Sequence, residues 1–88
     1  MLKEHLVLNN KLGLHVRAAS KLVDLSNRFS SHIELTLNDK QVNAKSILNL
    51  MLLAAKSGCE LTIKIEGEDE NEAMIALKEL FYNNFGED

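Results

Sequence analysis

A chain of 88 residues with 10 Lys plus Arg, 13 Asp plus Glu and a formal charge of −3 has the length of one domain, 1–88, with one modest core. The acidic balance and an aromatic fraction of 5% argue against a nucleic-acid binder, and 45% hydrophobic with 26% charged residues argues against disorder. Cys59 stands alone, no apolar signal core is present, and the longest apolar run, residues 50–55, is too short to cross a bilayer, so a cytoplasmic monomer without membrane insertion is expected.

Residues 2–8 read as a strand. Asn9-Asn10-Lys11-Leu12-Gly13 is turn chemistry, and Gly13 takes positive φ without steric cost. Helical spacing follows over 16–27, with Ala19, Leu22, Val23 and Ser26 on one side. Ile33, Leu35 and Leu37 alternate along a strand over 32–37, and Asn38-Asp39 turns into a short return strand at 40–43. A second helix is expected over 46–56, with Gly58 left-handed after its end. Residues 60–65 alternate again, and Gly67 turns the chain. Asp69 with Glu72 resembles a capping box ahead of a helix whose stripe is Ala73, Ala76, Leu77, Leu80 and Phe81. The order β-α-β-β-α-β-α, with strands apolar on one face, predicts an α+β fold. It is an open-faced sandwich, a four-stranded antiparallel sheet with three helices on one face.

Two helix starts carry chemistry. In Gly13-Leu14-His15-Val16-Arg17-Ala18-Ala19, His15 is the N-cap, where Ser, Thr, Asp or Asn would cap better. Leu14 and Ala19 hold the places of a hydrophobic staple. An imidazole is a nucleophile, and a helix start offers unpaired N–H groups and partial positive charge that suit a phosphoryl group. Arg17 adds a forked cation, and the surrounding positive charge favours the neutral ring. The pattern points to reversible histidine phosphorylation. From spacing alone, a histidine that merely ends a loop accounts for it equally well.

In Asn43-Ala44-Lys45-Ser46-Ile47, Ser46 is an ordinary N-cap, or a serine whose phosphate would face the helix dipole. The helix that follows is apolar nearly all round. Leu50, Leu53 and Ala54 share one side, and Ile47, Met51 and Ala55, with Leu48 and Leu52, share the other. A domain this small cannot bury both sides, so one is expected to meet a partner. His5, His32 and Cys59 have no metal-ligand spacing, and Cys59 reads as a small core residue. No cofactor is implied.

At these helix starts the chain resembles HPr, the histidine-containing phosphocarrier family of the phosphoenolpyruvate-dependent phosphotransferase system. The segments from Asn10 to Ala19 and from Asn43 to Ile47 carry the resemblance, together with Gly67-Glu68-Asp69-Glu70 and the helix after it. It implies a carrier rather than an enzyme. His15 would accept a phosphoryl group on Nδ1 from phosphorylated Enzyme I and pass it to IIA domains of the sugar system, with Arg17 stabilising the transferring phosphate. Ile47, Leu48 and Met51 would form the patch that docks partners, and Ser46 the site used by an HPr kinase/phosphorylase in some lineages. A carrier of a nitrogen-related or regulatory branch, or a binding module acting through the Ser46 face, are the alternatives. Ala18 stands where the family usually has proline, and Val16 where it has a small or hydroxylated residue. Asp24, Asn27 and Asn49 replace lysines of some members, which thins the basic rim.

Overall fold

Alternating apolar residues in four short segments build the sheet, and the computed structural model, which describes residues 1–87, shows how they pair. The elements are β1 (Leu2–Val7), α1 (Val16–Ser26), β2 (His32–Leu37), β3 (Lys40–Asn43), α2 (Ile47–Leu53), β4 (Glu60–Glu66) and α3 (Glu70–Tyr82), then a 3-10 turn at Asn84–Gly86. The strands form one antiparallel sheet in the order β1-β4-β2-β3. The registers Leu6↔Leu61, Ile33↔Ile65, Leu35↔Ile63 and Leu35↔Val42 put like faces together. The expected α+β open-faced architecture is the one found.

The inner face of the sheet shares one core with Ala18, Ala19 and Leu22 of α1, Leu50 and Leu53 of α2, and Ala73, Met74, Leu77 and Phe81 of α3. Each fully buried Leu or Ile contributes roughly 1.5–3 kcal/mol. The outer face keeps Lys3, His5, Thr36, Gln41, Thr62 and Lys64 around a shallow groove. On the edge strand the inner-face Glu4 is only half-buried, and Lys78 of α3 reaches it at 2.9 Å. No helix among the described residues is long and apolar enough to cross a membrane.

Three expectations need correction. Helix α2 stops at Leu53, not at residue 56, because Ala54 turns left-handed at φ 52. That turn exposes Ala54 and buries Ala55, the reverse of the assignment made by continuing the helical wheel. Gly58 does have positive φ, but in the turn into β4, where its N–H reaches the Leu8 carbonyl at 2.6 Å. Second, Asp69 and Glu72 form no capping box. Asp69 makes no side-chain cap bond, and its carboxylate instead takes the Ser30 and Ser31 N–H groups at 2.8 and 2.9 Å and the Ser31 hydroxyl. Glu70 takes the Gly67 N–H in its place, at 3.1 Å. Third, the buried stripe of α3 includes Met74, while Ala76 and Leu80 are half-buried.

Candidate functional site

The loop before α1 is fixed at Gly13. It sits at φ +68, and a Cβ there would lie 2.8 Å from the Ala55 carbonyl oxygen. That same carbonyl accepts the Leu14 N–H at 3.0 Å, so the loop packs on the segment that leaves α2. Leu14 and Ala19 are both buried, as a staple requires. His15 is the N-cap, extended at φ −77 and ψ 177, and its side chain makes no cap hydrogen bond. Its carbonyl takes the first helical N–H, from Ala19 at 2.8 Å. The N–H groups of Val16, Arg17 and Ala18 therefore have no carbonyl inside the helix. Arg17 is exposed and unpaired among the described residues.

The ring of His15 points elsewhere. Nε2 lies 2.6 Å from Glu87 Oε2, with the His15 and Glu87 side chains 23% and 15% exposed. Nδ1 has no hydrogen-bond partner among the described residues. The other oxygen of Glu87 accepts from Asn10 Nδ2 at 3.1 Å, and the same amide also donates to the Gly13 carbonyl at 2.6 Å. Asn10 is fully buried. The Asn10 hydrogen bond, with that of His15 and the charges of His15 and Lys21, holds the Glu87 carboxyl below its ordinary range against the opposing effect of burial. The ring thus faces a carboxylate, and the sequence-based view of a purely positive surround is incomplete.

Nothing local in the sequence announces Glu87, which lies 72 residues from His15. The available signal is the run after α3. Asn83 and Asn84 suit a chain reversal, and the apolar Phe85 must be buried. The Asn83 side chain takes the Gly86 N–H, Asn84 and Phe85 sit at φ 56 and 58, and Phe85 packs on Phe81 with ring centroids 4.9 Å apart. Lys21 of α1 caps the turn by donating to the Phe85 carbonyl at 2.6 Å.

At the second helix start, Ser46 caps α2. Its Oγ accepts the Asn49 N–H at 3.2 Å and the Asn49 side-chain amide at 3.0 Å. Of the apolar residues that follow, Leu48 is 67% and Ile47 39% exposed, whereas Met51 is half-buried and packs on the core. Leu52, at 65%, is as exposed as Leu48. Leu12 and Val16, on either side of His15, are also exposed.

The chain matches the family model described as the PTS HPr component phosphorylation site over residues 2–83. It is 51% identical to the phosphocarrier protein HPr of Xylella fastidiosa strain 9a5c over 88 residues, covering 100% of this chain and 99% of that one. It is 47% identical to the phosphocarrier protein HPr of Cupriavidus necator over 87 residues, covering 99% and 98%. A crystal structure of HPr from Thermoanaerobacter tengcongensis superposes with a TM-score of 0.97 at 40% identity, covering 100% of this chain and 99% of that one.

Proposed function

The chain belongs to the HPr family of phosphotransferase-system phosphocarriers, and from that premise we propose that His15 receives the phosphoryl group on Nδ1 from phosphorylated Enzyme I and yields it to a IIA domain. One observation carries this reading: His15 begins an 11-residue helix with Nδ1 unengaged, beside N–H groups that have no helical partner. Those N–H groups and the positive end of α1 suit the equatorial oxygens of a transferring phosphoryl group. Ala18 adds a donor where proline would have none. Arg17, exposed and unpaired among the described residues, supplies a forked cation to the phosphate or to carboxylates of a partner. Leu48 and Ile47, with the exposed rim of Met51, form the docking patch, and the exposure of Leu52 supports extending it along α2.

Ser46 is the regulatory position in the same reading. A phosphate there would add about −1.5 to −2 charges at the edge of the patch, which a docking partner would have to desolvate. The N-cap geometry supports a change in charge without a change in fold.

The test is incubation with Enzyme I and phosphoenolpyruvate, followed by site mapping. An acid-labile, base-stable phosphoryl group is expected on His15. His15→Ala should abolish labelling and lower the melting temperature only modestly, because the ring makes no cap bond and the contact it loses is the one to Glu87. Undiminished labelling of His15→Ala would falsify the assignment.

A further inference from the structure

We propose that Glu87 is a positioning residue for His15: its carboxylate takes the Nε2–H of the ring, fixes the tautomer that leaves the Nδ1 lone pair bare, and faces the positive charge that the ring gains on phosphorylation. The proposal rests on the reading of His15 as the phosphoryl acceptor, and its structural part stands on contacts remote in sequence. The ring and carboxylate meet at 2.6 Å, and a buried asparagine amide holds the second carboxylate oxygen. A base held by a carboxylate through its far nitrogen is oriented and kept in one tautomer.

The backbone shows that this placement is specified. Asn84 and Phe85 both have left-handed φ, and for a bulky residue such as Phe85 that conformation is strained. Burial of the Phe85 ring to 1% exposure and the Lys21 contact to its carbonyl hold the turn against that strain. The turn delivers Glu87 back across the start of α1. Lys21, which holds the turn, shares the neighbourhood, so the carboxylate faces an opposite charge as well as the ring.

In the transfer itself, the Nδ1 lone pair forms the new N–P bond as the donor's N–P bond breaks and its electron pair returns to the donor nitrogen. The Nε2 proton stays on His15. The phosphorylated ring is then substituted on both nitrogens and carries positive charge directly opposite Glu87. Passing the group onward reverses each change, so the carboxylate serves both directions without giving or taking a proton.

The experiment is nitrogen-resolved NMR of the His15 ring together with transfer rates, in the whole chain and in Glu87→Ala and Glu87→Gln. The unaltered protein should show an Nε2–H resonance displaced downfield and slow to exchange with water. Glu87→Ala should lose it, and Glu87→Gln, which retains a carbonyl acceptor, should restore it with a smaller displacement. Transfer from Enzyme I to His15 should slow about tenfold in Glu87→Ala and less in Glu87→Gln, as for loss of one charge-assisted hydrogen bond. A resonance that persists in Glu87→Ala, or an unchanged transfer rate, overturns the role of Glu87. If His15 of the unaltered chain takes no label at all, the carrier reading falls with it. If His15 is labelled but indifferent to Glu87, only the positioning role falls.

Discussion

Single side chains in this protein work across long stretches of sequence. Asp69 joins the start of α3 to Ser30 and Ser31, and chiefly the Ser31 hydroxyl, with the backbone N–H of Ser30, holds its carboxyl at about 2 instead of 3.8. A carboxyl whose folded-state value is depressed binds its proton more readily in the unfolded chain. Its stabilising effect is therefore complete above pH 4 and disappears as pH falls towards 2. Asp69→Asn should melt at a lower temperature than the unaltered protein at neutral pH, and the gap should close in melts repeated down to pH 2. A gap independent of pH would mean that the lost hydrogen bonds and not the charge set the difference. Asp69 was legible as a helix start, since its residue type and place are those of a cap. Its true partners were not, because only the sheet brings Ser30 and Ser31 beside it.

The two helices that start near the candidate site divide the work differently. Helix α1 presents its N-terminus, and its start is legible because Gly13, Leu14 and Ala19 each meet a local requirement. Helix α2 presents its flank. Its two-sided apolar character showed that one face stays uncovered, and the structure places Leu50 and Leu53 inside and Leu48 and Leu52 outside. Where the helix ends was not legible, since Ala54 has no intrinsic preference for the left-handed region that it adopts. Leu50→Ala should cost about 2–5 kcal/mol in chemical denaturation. Leu48→Glu should stay within about 0.5 kcal/mol of the unaltered protein in the same assay. In titration calorimetry with Enzyme I, Leu48→Glu should weaken binding by more than about 1 kcal/mol. Met51, which the family resemblance also assigns to the patch, is a less clean test because it also packs on the core. Unchanged affinity for Leu48→Glu would remove α2 from the docking surface.

Across the whole molecule, the first and last turns of the chain meet. Lys78 of α3 reaches Glu4 on β1, the N-terminal amine lies 3.0 Å from Glu70, and the turn after α3 closes on α1. Phe85 is the apolar anchor of that closure, while Tyr82, one helical turn earlier, is 68% exposed. Phe85→Ala should lower stability by about 3 kcal/mol in denaturant titration. Tyr82→Ala should change it by no more than about 0.5 kcal/mol. Equal effects would show that the C-terminal turn is not part of the cooperative fold.

The sequence by itself determined the order and type of the elements, the antiparallel open sheet, the cap positions of His15 and Ser46, and the family. Each of these rests on local information: period-two alternation in the strands, helical spacing, turn residues such as Gly13, and short motifs. Tertiary structure alone decided that Asp69 serves Ser30 and Ser31, that Ala55 and not Ala54 is buried, and that Glu87 stands against His15. These depend on contacts between segments distant along the chain. Their geometry follows from how the paired strands bring loops together and from how the turn that buries Phe85 closes on α1, and local pattern names the residues without naming their partners.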